Sequence, residues 1–544
     1  MSVNPGVKIR ALPDNVNQPE ESATGVNVPT ASLILRWPLA VVLAILSMLL
    51  LPALTYSIII HPPEYDELLH ILAARSLNET GIPSIADGLY TRAELYTRLI
   101  AWVTGLADNE LLIARFPALL FGMLATALLS AWMGVRVGWI AAIAVACIFV
   151  ISPMTLNSAV LVRFYTLHTL LMAMLLLFWY EATSWQHSLR NLIIVVAISA
   201  VLIGLGLQFH DLTQITILSG LVAMTMVLVY DYRKAVWGIA RRRPILTVLG
   251  LVTGIALAAY VAIRVDIISL LRGSLPLWSV SKADNYAYYL SALSVELPFI
   301  WPLFPVMLIA CFYERPRIAV FCLSAFVVSL IVNSIAAQKA TRYFYHAYPM
   351  FCILWAIGFQ RLLMLVFTQL RAHRGAGLST ALIILGVLSI SLISAHEVKR
   401  GIKLVLNKGQ ADNSIPVVNE PDWSLSLPRI GELAQSVDTL VVTSGVKGQY
   451  TFGKFDYEMS TTVVQETDTG LEFGNDPRTN RQVIGQPESV QRIIDAEGQA
   501  LFVLEDRMIN KQYSAPVESV TVLNRHCEAI DLSKTGSQLS AWLC

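Results

Sequence analysis

The acidic pair Asp66-Glu67 sits just past a long apolar run that Pro62 and Pro63 bring to an end. A carboxylate held at a membrane–water boundary can take the proton of a hydroxyl that lies within hydrogen-bond reach. The plain alternative is that two acids in the first turn of a helix complement the positive end of its dipole. Three other junctions between apolar runs carry ionisable groups: Arg163-Phe164-Tyr165, His210-Asp211 and Lys339-Ala340-Thr341-Arg342-Tyr343. Charge at membrane depth is expensive and is usually paired or functional. Each junction also has an ordinary reading. Arg163 would snorkel to the interface, His210-Asp211 would be a polar loop tip, and Lys339 and Arg342 would simply flank a span. His70 stands four residues after Asp66, a spacing seen in metal sites, but no further ligand cluster supports it.

The composition says what must position these groups. Of 544 residues, 55% are hydrophobic and only 14% are charged, and the mean hydropathy is +0.60. Soluble proteins carry roughly a quarter charged residues. The near-balance of 39 basic and 38 acidic residues excludes a nucleic-acid binder, which needs a basic surface, and a disordered polyelectrolyte. What remains is a membrane protein or an unusually apolar soluble one.

A bilayer span needs about 20 mostly apolar residues. Eleven runs qualify: 38–60, 111–133, 138–156, 162–182, 191–209, 212–230, 245–264, 290–312, 318–337, 347–367 and 378–396. Alternation assigns the segments 134–137, 183–190, 231–244, 313–317 and 368–377 to one side. They hold Arg136, Arg190, the cluster Arg233, Lys234 and Arg241–Arg243, Arg315, Arg317, Arg371 and Arg374, which is the positive-inside bias. The N-terminus is then cytosolic, with 1–34 a proline-punctuated disordered arm. Residues 35–397 form the membrane domain, and 398–544 an extracytoplasmic domain. All four ionisable junctions fall on the outer face.

The first outside loop, 61–110, is too patterned for a connector. Tyr65, Leu68, Leu69 and Leu72 share one helical face, and Gly81-Ile82-Pro83 ends that helix. A second amphipathic stretch runs from about 92 to 106. Both are expected to lie on the membrane surface. The tail holds 14 basic and 19 acidic residues and reads as an α/β domain. Strands are predicted at 439–443 and 500–504, and a helix at 487–496 with Gly498 as its stop. Cys527 and Cys544 would pair if the tail lies outside the cytosol. The predicted fold class is therefore a mainly α polytopic membrane protein plus a C-terminal α/β domain.

The order and spacing of several motifs resemble the GT-C class of integral-membrane glycosyltransferases, whose donors are polyprenyl-phosphate sugars. The branch in question includes the protein O-mannosyltransferases and the aminoarabinose transferases. The motifs are Tyr65-Asp66-Glu67 with Gly81-Ile82-Pro83 and Gly88-Leu89-Tyr90, then Asn109-Glu110 through Ala114-Arg115-Phe116-Pro117 to Gly122. Arg163-Phe164-Tyr165 and Arg342-Tyr343 with Pro349 follow, and a weaker set around Val441–Ser444 and Phe455-Asp456-Tyr457 lies in the tail. The resemblance spans about 38–460. It implies Asp66 as the catalytic base, with Glu67 as orienter or substitute, and Arg342-Tyr343 as ligands of the lipid phosphate.

One departure stands out. The Lys-Pro-Pro that often follows Gly-x-x-Tyr in the aminoarabinose branch is absent. Thr91-Arg92-Ala93-Glu94 follows Tyr90 instead. That sets the aminoarabinose donor in doubt and leaves Arg92, with Lys339, as a further phosphate ligand. Arg163, Tyr165, His210 and Asp211 are additional substrate-site candidates.

The expected reaction moves a sugar from a polyprenyl phosphate to a hydroxyl of a glycan, lipid or protein acceptor, with inversion. A divalent metal is optional in such chemistry, and no nucleic-acid partner is expected. The expected location is a bacterial inner membrane. A multispan transporter or lipid flippase is the main rival. It would place its site nearer mid-bilayer and usually shows internal repeats. A non-catalytic membrane scaffold is the second.

Overall fold

The computed structural model describes residues 30–55, 59, 61–106, 109–185, 188–242, 284–372, 420–461, 472–496, 498–509 and 515–544. The apolar runs 245–264 and 378–396, and most of the N-terminal arm, lie outside these residues.

The first half of the chain is helical: α1 (Thr30–Thr55), α2 (Tyr65–Thr80), α3 (Glu94–Thr104), α4 (Glu110–Arg136), α5 (Trp139–Ile151), α6 (Pro153–Val160), α7 (Tyr165–Ala182), α8 (Leu189–Phe209) and α9 (Leu212–Asp231). Helices Tyr288–Glu296, Ile300–Glu314, Pro316–Ile335 and Tyr348–Ala372 complete the bundle. Among the described residues six helices are long and apolar enough to cross a membrane, or eight if each of two bent pairs counts as one span. Their outward rows are apolar, as at Leu189, Leu192, Ile193, Val196 and Val201 of α8. The chain is an integral membrane protein.

Three of the eleven expected spans differ from a single long straight helix. The run 138–156 is α5 and α6, bent by 65°. The break falls at Ser152-Pro153, where proline lacks the amide that would continue the helix and restricts the residue before it. The run 290–312 is two helices at 100°, parted around Pro298. The run 162–182 contains α7, which is not one of the six. It is buried along most of its length and fills the middle of the bundle.

Tightly packed rings hold the late helices together. Phe304 and Phe351 lie 4.8 Å apart, and Phe326 lies 5.4 Å from Phe344 and 5.7 Å from Phe351. Ring pairs at such separations add about 0.5–1.5 kcal/mol beyond area burial.

The loop 61–110 keeps its two helices but not their expected setting. Gly81 caps α2 in the left-handed region, at φ 79°. However, Glu67–Ala74 is buried without a break. The helix lies between α3 and α4 on one side and the tail helix Gly445–Phe452 on the other, so it is not a helix laid on lipid. Only α3 shows the two-sided pattern. Tyr96, Thr97 and Ile100 face in, while Leu95 and Trp102 face out.

The tail is an α/β unit. Its mixed six-stranded sheet has the order β5-β4-β3-β6-β8-β7, after a small hairpin, β1 (Ser84–Ile85) and β2 (Gly88–Leu89), in the first loop. Strands β3 (Thr439–Val442), β4 (Tyr457–Met459), β5 (Gln482–Ile484) and β6 (Ala500–Glu505) are parallel. Strands β7 (Glu528–Ile530) and β8 (Leu539–Leu543) add antiparallel. The predicted strands at 439–443 and 500–504 pair with each other, Val441 opposite Phe502. They read as unbroken apolar runs because the parallel core of the sheet is covered on both faces. Helix Pro487–Ile494 stands close to the expected place but is capped at Asp495, before Gly498, which still takes a positive φ. Cys527 and Cys544 are joined by a disulfide.

The tail grips the first loop. Asp87 donates its amide to the Thr479 carbonyl at 3.1 Å, and Arg481 pairs with Asp87 at 2.9 Å. Gly88 lies against the Arg478 backbone so closely that a Cβ would come within 2.2 Å of its carbonyl oxygen. Gly88→Ala must therefore part the two segments. Overpacking of this kind costs about 1–3 kcal/mol. The expected result is a lower melting temperature in detergent, with faster amide exchange at 478–481 than in the helical bundle. Unchanged exchange at 478–481 would count against the contact.

Candidate active site

Glu64-Tyr65-Asp66-Glu67 begins α2, and each side chain has a different fate. Glu67 is fully buried and fully engaged. Its two oxygens accept from Arg115 Nε and Nη2, both at 2.8 Å, from the Glu64 amide at 2.9 Å and from the Val162 amide at 2.9 Å. Arg115, also fully buried, donates onward to the His61 carbonyl at 2.8 Å. This knot ties α2 to α4, to the segment before α2 and to the α6–α7 turn. Burial alone would raise the Glu67 pKa, but Arg115 holds the carboxyl below the usual range. The Glu67 carboxylate thus accepts four hydrogen bonds, all within this buried knot.

Asp66 points elsewhere. It pairs with Arg163, and with Arg342 at 3.3 Å. Arg163 is almost wholly buried, whereas Arg342 is about a third exposed. Burial pushes the Asp66 pKa up, but Arg163, Arg342 and Arg92 outweigh it and hold the carboxyl below its ordinary value. The Arg342 guanidinium lies 5.7 Å from the Tyr343 ring centre, and that of Arg163 lies 5.5 Å from the Tyr165 ring centre.

Both arginines open onto a cavity of about 170 Å³, whose wall also includes Glu64, Tyr165, Asn157 and Glu296. Two guanidinium forks on one wall suit a tetrahedral anion, because each presents paired N–H donors. Burial, then the neighbouring Asp66, pushes the Glu64 carboxyl up to about 7. Sequence reasoning passed over Glu64. The available signal was its place three residues before Glu67, which marks it as a helix N-cap position.

The remaining expected residues divide. Tyr165, Tyr343 and His210 form an aromatic group beside the arginines, with ring centres 5.6–6.5 Å apart. Arg92 is exposed in the turn before α3 and adds to the field at Asp66. Lys339 is fully buried and donates to the Ala336 carbonyl at 2.7 Å, capping the helix Pro316–Ile335. It is not on the cavity wall. Asp211 is exposed at the start of α9, away from that wall. His70 is buried beneath the site, with Nδ1 3.0 Å from Thr97 Oγ1 and its ring edge-on to Tyr90 and Tyr96. Among the described residues no group of three or more His, Cys, Asp or Glu side chains is placed to hold a metal ion.

No family model matches the chain, and no curated protein matches it by sequence. Solved structures match its fold. ArnT from Cupriavidus metallidurans bound to undecaprenyl phosphate aligns over 94% of this chain and 98% of its own, with a TM-score of 0.53 and 14% identity. The same protein in the apo state aligns over the same shares, with a TM-score of 0.50 and 13% identity. The archaeal oligosaccharyltransferase AglB from Archaeoglobus fulgidus, in complex with an inhibitory peptide and a dolichol-phosphate, aligns over 86% of this chain and 69% of its own, with a TM-score of 0.51 and 11% identity.

Proposed function

We propose, from the GT-C glycosyltransferase fold that this chain has, that it transfers a sugar from a polyprenyl phosphate to an acceptor hydroxyl on the outer face of a bacterial inner membrane. The observation that carries this reading is Asp66, held between Arg163 and Arg342 beside a cavity whose wall includes both arginines. The two fold relatives are named with undecaprenyl phosphate and a dolichol-phosphate, both of the lipid class that this reading gives to the donor.

Asp66 is the proposed base. In the free enzyme its charge is shared with two cations, which makes it a weak one. A donor phosphate on the cavity wall competes for Arg342, the more exposed of the two. Asp66 then faces Arg163 alone and becomes a better proton acceptor as the acceptor hydroxyl attacks. The arginines stabilise the phosphate as its ester bond breaks and negative charge develops. Backside displacement inverts the anomeric centre. The positive-inside bias, and a disulfide in the tail of the kind that persists in oxidising compartments, support an outward-facing site.

Purified protein in nanodiscs, offered a panel of radiolabelled polyprenyl-phosphate sugars and a bacterial envelope extract, should form a labelled product and release the bare lipid phosphate. Movement of labelled lipid between vesicle leaflets without product would favour a flippase and overturn the transfer reading. Arg342→Ala should raise the Kd for undecaprenyl phosphate about tenfold or more, the loss of one charge-assisted contact, and change the melting temperature little. An unchanged Kd would remove Arg342 from the phosphate site.

A further inference from the structure

The cavity beside Asp66 contains an apparent contradiction. Arg163 and Arg342 make it attractive to an anion, yet Glu64 and Glu296 stand on the same wall. An ionised carboxylate facing a phosphate is repelled by it. A protonated carboxyl is different, because it turns the same side chain into a hydrogen-bond donor. Glu64 and Asp66 are two residues apart, but their surroundings push them in opposite directions. Asp66 lies directly against both arginines. Glu64 is largely enclosed, with Asp66 and Glu67 of its own helix as negative neighbours. Arg163 and Tyr165 face it from the start of α7, Arg342 from the 3₁₀ turn Thr341–Ala347, and Glu296 from the end of Tyr288–Glu296. A pair of carboxyls held in such unlike environments divides naturally into one acid and one base.

We propose that Glu64 is the acid of this pair and donates its proton to the phosphate of the polyprenyl-phosphate donor as that phosphate leaves. The proposal rests on the transfer reading given above. In the step, the acceptor oxygen bonds to the anomeric carbon while the bond from that carbon to the phosphate oxygen breaks, and its electron pair goes to the phosphate. The acceptor proton passes to Asp66 and the Glu64 proton to the phosphate. Solvent exchange then returns Asp66 to the carboxylate and Glu64 to the acid. No outside oxidant or reductant is needed. The Glu64 carboxyl, pushed up to about 7, is available as an acid at neutral pH and is lost as pH rises through that value.

The test is the binding of undecaprenyl phosphate to the full-length protein in detergent between pH 6 and 9, comparing wild type with Glu64→Gln. Glutamine keeps a neutral donor at all these pH values. Ionisation of the lipid phosphate is common to both proteins and cancels in their ratio. The expected result is near-equal affinity at pH 6, with wild type weakening relative to the variant by up to about tenfold per pH unit above neutrality. Parallel pH profiles in two proteins that both bind would overturn the role of Glu64 and leave the donor-lipid reading standing. Binding by neither protein would overturn both. If Glu64→Gln does not fold, calorimetry of wild type at pH 8 with a polyprenyl sulfate, whose headgroup does not titrate in this range, in two buffers of different ionisation enthalpy reads the linkage of Glu64. Proton uptake on binding supports the proposal, and its absence overturns it.

Discussion

Asp66→Asn is expected to lower the rate of sugar transfer by about 10²–10⁴-fold, the usual contribution of a positioned acid–base group, while the protein still inserts and binds undecaprenyl phosphate. Asparagine keeps the size of the side chain and one oxygen that can accept from Arg163. It removes the charge that pairs with Arg163 and Arg342, and with it the basicity. Freeing Arg342 from its carboxylate should leave lipid binding as tight or tighter, so kcat falls while Kd does not rise. That split separates a base from a residue that merely holds the arginines in place. A variant that loses binding and rate together would mark Asp66 as positional. The pH profile gives a second measurement. Because the arginines hold Asp66 below the ordinary carboxylate value, its acid limb should fall below the usual aspartate range. Under the proposal for Glu64, the alkaline limb should begin near pH 7. Loss of the acid limb in Asp66→Asn, with the alkaline limb kept, is the expected pattern.

Much of this site was legible in the sequence because it depends on sidedness. Counting apolar runs and arginines leads one to expect Asp66, Arg163, His210 and Arg342 on one face, and the fold brings their side chains near one another. What sequence could not supply was the division of labour within a turn of helix. Asp66 and Glu67 are adjacent and chemically alike. One meets Arg115 deep in the bundle and the other meets Arg163 and Arg342 at the cavity, because successive helical residues point about 100° apart. Lys339 shows the converse. It lies three residues before Arg342, but the chain turns between them and Lys339 caps a helix instead. Hydropathy also hid the bends at Pro153 and Pro298, where proline breaks a helix without breaking the apolar run. The burial of α2 was missed because the element that covers it, Gly445–Phe452, lies more than 350 residues further along the chain.

The same division of labour predicts a different outcome at the neighbouring residue. Glu67→Gln should destabilise the protein severely, by about 3–5 kcal/mol, the typical effect of removing one partner from a buried ion pair. Arg115 is fully buried and has no access to water. Glutamine offers one acceptor oxygen where the carboxylate accepts four hydrogen bonds. Its amide would also bring two donors to a place already crowded with donors. Among these losses, the bond from the Val162 amide matters most for function, because Val162 precedes Arg163, the buried partner of Asp66. Glu67→Gln should therefore lower the melting temperature and the yield of folded protein in detergent. The fraction that remains folded should keep measurable transfer. Replacing both partners, as Glu67→Leu with Arg115→Leu, removes the unpaired charge. It should recover part of the lost stability, though not all, since the Glu64 and Val162 amides and the His61 carbonyl stay unpaired. Chemical or thermal unfolding of the two single variants and the double variant measures the coupling directly. If Glu67→Gln instead melted like wild type and lost transfer as completely as Asp66→Asn, Glu67 would be the base and the assignment of Asp66 would fail.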